Sequence, residues 1–247
     1  MKINIHAASD VGRIRDNNED MILVNRCFVR DNDWSGEVDL GKVGRFLAAL
    51  ADGMGGHDGG EVASNEVLLN LDYFFNDMPM GLSVADFNET IFDWLASINK
   101  IIDTKGRTDA HCHSMGTTLV AFVYYNDCFY WMNCGDSRIY RLHEGQLSQM
   151  STDHSLNTLI GSEEHTSIIT NCIGAGCETS YIDIMVCTSE VCAGDTFLLC
   201  SDGLSDMLSD EQIQQLLNNG ADALALCNAA NEEGGFDNVS ACVIKIV

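Results

Sequence analysis

Short apolar runs of strand length recur along the whole chain and restrict it to a fold built on β-sheets. The pairs Asn126-Asp127 and Glu144-Gly145 are typical of tight turns between successive strands, so we expect part of the sheet to be antiparallel. The pattern predicts strands at residues 4–9, 21–28, 43–51, 117–125, 128–134, 139–143, 181–187, 196–200 and 240–247.

Amphipathic segments with helix-start signals lie between these runs. From Ser83, a typical N-cap, apolar residues follow helical spacing as far as Ile102. We also predict helices at residues 60–76, from a capping box at 209–212 to Gly220, and at 221–232. Antiparallel strands with a few long helices predict a layered α+β domain. No repeat or linker divides the 247 residues, so we expect one domain over 1–247.

Charge and cysteine usage exclude several classes of partner. The net charge is −24, and residues 142–244 contain no Lys or Arg, which disfavours binding to nucleic acid or to anionic lipid. No apolar stretch approaches the roughly 20 residues of a membrane helix, and the first residues do not resemble a secretory signal. Eleven cysteines without a CxxC pair favour free thiols, so we expect a cytoplasmic protein.

Four aspartates share one local pattern, in which an apolar run meets an aspartate beside a turn residue. They are Asp52 before Gly53, Asp136 after Gly135, Asp202 before Gly203 and Asp237 before Asn238. Any one of them alone is explained as a turn former at the end of a strand. Four together predict carboxylates gathered at strand ends, where burial is costly unless a cation neutralises them.

Carboxylate oxygens select hard cations such as Mg²⁺ or Mn²⁺. Two such ions roughly 4 Å apart can activate a water that attacks phosphorus in line. The substrate phosphate also needs a cationic partner, which an arginine supplies with a planar fork. Arg15, in a polar segment beside Glu19 and Asp20, is the predicted phosphate clamp. An arginine in an acidic segment also fits a plain surface ion pair.

The ordered series of motifs resembles the metal-dependent protein serine/threonine phosphatases, the PPM or type 2C family, in its bacterial branch. The match covers nearly the whole chain. The motifs are SDVGRIRDNNED at 9–20, ADGMGGH at 51–57, GEVAS at 60–64, MGTT at 115–118, NCGDSRIYR at 133–141, TDHS at 152–155, CSDGL at 200–204 and DNVS at 237–240.

The resemblance implies a four-layer α-β-β-α sandwich and a hydrolase acting on phosphoserine and phosphothreonine in proteins. It implies that two Mg²⁺ or Mn²⁺ ions are held by Asp52, the Gly53 carbonyl, Asp202 and Asp237. Asp136 would join Asp202 at a third, weaker metal site. Catalytic roles would fall to Arg15, which binds the phosphate, and to Glu19 and Asp20, which orient metal-bound water. Asn238 would support the Asp237 turn.

Two departures from the family stand out. Met54 occupies the position of a histidine that is the proposed general acid of eukaryotic relatives. No residue is therefore assigned to protonate the leaving group. His57 and His154 are candidates for this role by motif position only. The flap segment, about residues 154–176, is short and contains no Lys or Arg. Its Glu163 and Glu164 suggest a preference for basic phosphopeptides.

The partners implied are phosphorylated proteins and a Ser/Thr kinase that produces them, with the chain acting as a monomer. Two alternatives stay open. A catalytically silent phosphatase-like domain would use the same scaffold to bind a partner. A regulator in a sporulation or stress pathway would keep the chemistry and change the substrate.

Overall fold

The computed structural model describes residues 1–55, 59–161 and 168–247. The strands are β1 (Lys2–Asp10), β2 (Met21–Val24), β3 (Cys27–Val29), β4 (Asn32–Asp39), β5 (Arg45–Ala51), β6 (Gly53–Met54), β7 (Gly116–Thr117), β8 (Leu119–Tyr125), β9 (Cys128–Cys134), β10 (Arg138–His143), β11 (Gln146–Gln149), β12 (Ile173–Gly174), β13 (Asp183–Val186), β14 (Thr196–Cys200) and β15 (Val239–Ile246). The helices are α1 (Gly59–Asp77), α2 (Val84–Thr108), α3 (Leu156–Ile160), α4 (Asp202–Ser205), α5 (Asp210–Asn218) and α6 (Ala223–Glu232), with a short 3₁₀ turn at Ala110–Cys112.

These strands form two large sheets and one small one. Sheet A has the order β11-β10-β14-β15-β1-β4, and sheet B has the order β13-β9-β8-β5-β2-β3. The small sheet is β12-β7-β6. Neighbouring strands are antiparallel in each of the three sheets.

Strand β5 shows why the sheets lie in the middle of the molecule, because both of its faces are apolar. Phe46, Ala48 and Leu50 belong to the core between sheets A and B, where they meet residues of β14 and β15. Leu47, Ala49 and Ala51 point to the opposite face and pack with α1 and α2. A third core lies between sheet A and helices α5 and α6. The four-layer α-β-β-α sandwich is confirmed.

Most predicted elements are confirmed, with shifted bounds. Ser83 caps α2 by accepting a hydrogen bond from the Asp86 N–H, although the helix runs on to Thr108. Both hydrogen bonds of the capping box form between Ser209 and Gln212 at the start of α5. All eleven cysteines are free thiols, as expected.

The predicted strand at 21–28 is wrong as one element. Asn25 and Arg26 have φ of 44° and 74°, so the chain turns sharply and forms the hairpin of β2 and β3. Strand β4 was not predicted, because its sequence, NDWSGEVD, is polar and lacks an apolar run. It forms at the edge of sheet A, where its whole length pairs with residues 2–9 of β1.

Strand register brings the predicted aspartates to one end of the sandwich. Met21 pairs with Ala51, so the residues next to them, Asp20 and Asp52, leave their strands side by side. In sheet A, Cys200 pairs with Ala241 and Asp10 pairs with Val239, which places the Asp202 and Asp237 turns at the same end.

In the part of the chain that the structure describes, no helix is long and apolar enough to cross a membrane.

Candidate active site

An open pocket of about 380 Å³ lies at this end of the sandwich. Several distant segments contribute to it, and its lining residues are Arg15, Glu19, Asp52, Gly53, Met54, Gly55, Ile169, Asp202, Asp237 and Asn238. Seven of the nine predicted site residues therefore share one pocket. The other two, Asp20 and Asp136, are not among its lining residues, but they are near it: burial raises the pKa of Asp52, and their charges add to that effect.

Asp52 is held at the end of β5 by two threonines. Its N–H donates to Thr118 Oγ1 at 3.0 Å, and its carbonyl accepts from the Thr118 N–H at 2.9 Å and from Thr117 Oγ1 at 2.8 Å. Burial raises the pKa of the Asp52 carboxyl well above its ordinary value, and the charges of Asp20 and Asp202 add to the effect. The Asp52 backbone is thus fixed, and its carboxyl lies in a place where negative charge is unfavourable.

Asp20 is fully buried beneath the pocket. Its Oδ2 accepts a hydrogen bond from Ser201 Oγ at 2.8 Å, whereas Oδ1 has no partner within the described ranges. Burial raises the pKa of Asp20 to about 7, against the lowering effect of its serine hydrogen bonds. Because Ser201 is the N-cap of α4, this bond ties Asp20 to the start of the helix that begins at Asp202.

Asp136 and Asp202 form the other acidic pair. Burial, followed by the charge of Asp202, raises the pKa of Asp136 to about 7. Burial, followed by the charge of Asp237, raises the pKa of Asp202 to about 6. The Asp136 Oδ1 atom is buried and makes no hydrogen bond to any residue described. Both carboxyls lie where a positive charge would stabilise their ionised form.

Arg15 faces the pocket and donates to Asp237 Oδ2 at 2.7 Å. Its side chain is 53% exposed, so the guanidinium is open to solvent and to a ligand in the pocket. Burial raises the pKa of the nearby Glu19 carboxyl, although the positive charge of Arg15 opposes that shift. The arginine is therefore the cationic group of an otherwise acidic pocket wall.

Asn238 connects the two segments that supply these residues. Its Oδ1 accepts from the Glu19 N–H at 2.8 Å, and its Nδ2 donates to the carbonyls of Val11 and Asn17 at 2.9 and 2.8 Å. Its own N–H donates to Asp237 Oδ1 at 2.8 Å. The side chain thus fixes the connection between β1 and β2 against the turn that precedes β15.

Gly53 permits the closest backbone approach in the site. A Cβ at this position would lie 2.1 Å from the Gly60 carbonyl oxygen and 2.6 Å from that of Glu19. Any larger residue would push α1 away from the Glu19 segment, so only glycine fits beside Asp52.

The donor set fits a hard divalent cation in its chemistry. The candidate ligands are carboxylate and carbonyl oxygens, which Mg²⁺ and Mn²⁺ prefer, and a buried oxygen on each of Asp20 and Asp136 has no donor among the described residues. Over residues 1–55, 59–161 and 168–247, no group of three or more His, Cys, Asp or Glu side chains is arranged so that it could hold a metal ion. Arg15 and Ser201 instead contact oxygens of Asp237 and Asp20.

Two supporting residues escaped sequence reasoning. Arg30 donates from Nε to the Asp20 carbonyl at 2.7 Å and from a terminal nitrogen to Ser64 Oγ at 2.8 Å. Ser64 in turn donates to the Glu19 carbonyl at 2.5 Å. Ser64 lies in the GEVAS motif, but Arg30 carries no local signal, because its partners are not its neighbours in the sequence.

Two histidines, His57 and His154, were candidates for protonating the leaving group. His154 is 6% exposed and does not line the pocket, so a packing or supporting role fits it better than proton transfer. His57 lies outside the described residues, as do Glu163 and Glu164 of the predicted flap. The described parts of the flap contribute α3 and Ile169, which reaches the pocket.

A family and several relatives match this chain. Residues 32–233 match the model of the family described as protein phosphatase 2C. The chain belongs to that family, and the resemblance inferred from its motifs is confirmed.

Two bacterial phosphatases illustrate the similarity of sequence. The serine/threonine protein phosphatase PstP of Mycobacterium tuberculosis is 33% identical over 251 residues, which are 98% of this chain and 44% of PstP. The chain thus spans less than half the length of that relative. Protein phosphatase PhpP of Streptococcus pneumoniae is 30% identical over 261 residues, with 99% of this chain and 98% of PhpP covered.

Solved structures agree with the fold. The crystal structure of M. tuberculosis PstP at 1.95 Å matches with a TM-score of 0.76 and 30% identity, over 100% of this chain and 99% of the other. The PstP catalytic domain in complex with two manganese ions matches with a TM-score of 0.73 and 30% identity over 100% of both chains.

Proposed function

We propose that this chain is a metal-dependent protein serine/threonine phosphatase that hydrolyses phosphoserine and phosphothreonine in proteins. The observation that carries the proposal is the pocket itself, where Asp52, Asp202 and Asp237 lie together with Arg15. Membership of the protein phosphatase 2C family supports it. The names of the bacterial relatives PstP and PhpP point to the same activity.

The carboxylates define where the cations would bind. Asp52, Asp202, Asp237 and the Gly53 carbonyl would hold two Mg²⁺ or Mn²⁺ ions, and Asp136 with Asp202 would hold a weaker third. When bound, the cations supply positive charge for the phosphoryl group and lower the pKa of water for attack on phosphorus. The PstP catalytic domain with two manganese ions supports the pair of sites.

The residues of the chain bind and orient the substrate. Arg15 binds the phosphate by exchanging its hydrogen bond to Asp237 for hydrogen bonds to the oxygens of the ligand. Glu19 lies in the pocket wall with a raised pKa, which suits a group that orients water and holds a proton. Asp20 keeps Asp202 in place through Ser201. Met54 has no proton to donate, so the leaving oxygen would be protonated by water.

The proposal extends to the source of the substrates, the cellular compartment, the number of domains and the oligomeric state. A kinase that phosphorylates serine or threonine would supply the substrates, because the phosphatase transfers to water the phosphoryl group that such a kinase attaches. Eleven free thiols fit the reducing cytoplasm. Both ends of the chain, in β1 and β15, pair inside sheet A, which supports a single domain over 1–247. A monomer stays a prediction, to be checked by light scattering during gel filtration.

The test is hydrolysis of a phosphothreonine peptide and of p-nitrophenyl phosphate with Mn²⁺, with EDTA, and by Asp202→Asn. We expect EDTA to abolish turnover and Asp202→Asn to lower kcat by roughly 100-fold or more, since a metal ligand is lost. Asp93→Asn, at an exposed site on α2, is the matched control and should behave as the wild type. Hydrolysis that persists without metal contradicts the mechanism. No hydrolysis with any cation favours the silent binding domain.

A further inference from the structure

His154 lies at the centre of a hydrogen-bond network behind the pocket. Its ring is buried against Tyr181, with a distance of 4.6 Å between the ring centroids. Nδ1 is 3.1 Å from the Gly135 nitrogen and 2.8 Å from Asn171 Nδ2, and Nε2 is 3.1 Å from Asp183 Oδ2. Both nitrogens of this buried ring thus have polar partners, and one of these partners is the backbone next to Asp136.

The partners of His154 determine its tautomer. The Gly135 N–H and the Asn171 amide both donate, so Nδ1 is the acceptor. Nε2 therefore carries the hydrogen and donates it to the Asp183 carboxylate. Asp183 is on β13 at the edge of sheet B, and its side chain is 42% exposed. This carboxylate thus holds the ring in the form that can receive the Gly135 N–H.

The bond to Gly135 acts on the turn that carries Asp136. The His154 N–H also donates to the Gly135 carbonyl at 3.0 Å, so His154 contacts both backbone polar groups of Gly135, which belong to the two peptide units before Asp136. Gly135 has φ of +118°, a conformation that glycine reaches freely, so the glycine alone does not fix the direction of this turn. Because the buried Oδ1 of Asp136 has no hydrogen bond to a described residue, its position depends on this backbone turn.

The same histidine, at the start of the flap segment, is joined to the later part of that segment. The Thr170 N–H donates to the His154 carbonyl at 2.8 Å. Two residues earlier, the Ile168 carbonyl accepts from the Leu156 N–H at 2.9 Å. Ile169, between them, lines the catalytic pocket. His154 thus joins the Asp136 turn to one wall of the pocket.

We propose that His154 is a positioning residue: by accepting the Gly135 N–H while donating to Asp183, it holds the backbone turn that directs Asp136 toward its metal. The inference rests on the function proposed above, in which Asp136 contributes to the weaker metal site. It concerns the affinity of that site, which is measurable on the protein without substrate. Residues that support a metal ligand in this way typically change metal affinity by about 10- to 100-fold.

Two amide substitutions separate positioning from packing. In His154→Asn the side-chain oxygen takes the place of Nδ1 and can still accept from Gly135. In His154→Gln the amide nitrogen takes the place of Nε2, so the bond to Asp183 survives and the bond to Gly135 is lost. Both variants remove the aromatic ring, and a role limited to packing would affect them alike.

The experiment is a Mn²⁺ titration of the full chain, with free Mn²⁺ measured by electron paramagnetic resonance. We expect Asp136→Asn to abolish the weakest class of sites and His154→Gln to weaken it on the order of 10-fold or more. His154→Asn should stay within about threefold of the wild type, and the tighter classes should not change. The phosphopeptide KM at saturating Mn²⁺ should be unaltered in both histidine variants.

Asp183→Ala gives a second measurement at a site exposed enough to tolerate the change. It should weaken the same class of sites several-fold, because the ring loses the acceptor that selects its tautomer. If His154→Gln and His154→Asn bind Mn²⁺ alike, or if Asp183→Ala binds like the wild type, positioning by His154 is refuted while the role of Asp136 stands. If Asp136→Asn itself binds like the wild type, both ideas fail, whereas the two-metal function is still judged by Asp202→Asn.

Discussion

Replacing Asp136 with asparagine should stabilise the metal-free protein at neutral pH and matter much less in mild acid. Burial, followed by the charge of Asp202, raises the pKa of this carboxyl from 3.8 to about 7 in the folded state. Between these two values the folded protein holds a proton that the unfolded chain releases. The free energy of unfolding of the wild type therefore falls as the pH rises through this window.

The magnitude follows from the width of the window. Each unit of pH between the two pKa values costs the wild type about 1.4 kcal/mol. Between about pH 5.5 and pH 7, the wild type should thus lose about 2 kcal/mol that the asparagine variant keeps. The lower limit of this range stays above the isoelectric point of ≈ 4.3, where the protein would lose solubility.

The assay is urea unfolding in EDTA, followed by the fluorescence of the three tryptophans. The difference in unfolding free energy between Asp136→Asn and the wild type should grow by about 2 kcal/mol from pH 5.5 to neutral pH. Asp93→Asn should show no such growth. With saturating Mn²⁺ the advantage of the variant should vanish at neutral pH, because the cation stabilises the ionised carboxylate. Parallel curves for the variant and the wild type in EDTA would refute the reasoning.

Three further substitutions test the supports of the pocket. Gly203→Ala should destabilise the protein by about 3 kcal/mol in urea unfolding, because the added Cβ would lie 1.9 Å from the Asn238 carbonyl oxygen. An unchanged urea midpoint would contradict this. Arg30→Lys should lower kcat about tenfold with little change in the peptide KM, since a lysine cannot bond both the Asp20 carbonyl and Ser64; a change in KM alone would speak against it. Arg15→Ala should raise the phosphopeptide KM by about 10-fold or more and leave Mn²⁺ affinity nearly unchanged, and the reverse pattern would remove Arg15 from the phosphate site.

The sequence alone predicted the caps and turns that depend only on residues close together in the chain. The N-cap at Ser83, the capping box at Ser209 and the turn at Asn126-Asp127 need only contacts within a few residues. The same local view failed at β4, whose polar residues become a strand only because β1 lies beside them. It also failed at Asn25, where two left-handed residues divide an apolar run that looked continuous.

Residue types and their order along the chain determined the class of protein, the layered α+β architecture and most of the residues that line the pocket. Only the tertiary structure decided which of these residues contact one another. Arg15 and Asp237 are separated by 222 positions in sequence, and Ser201 and Asp20 by 181, so their pairing depends on strand register across both sheets. The roles of Arg30 and His154 belong to the same category. A hydrogen bond forms only at short range, and folding alone brings donors and acceptors so distant in sequence within that range.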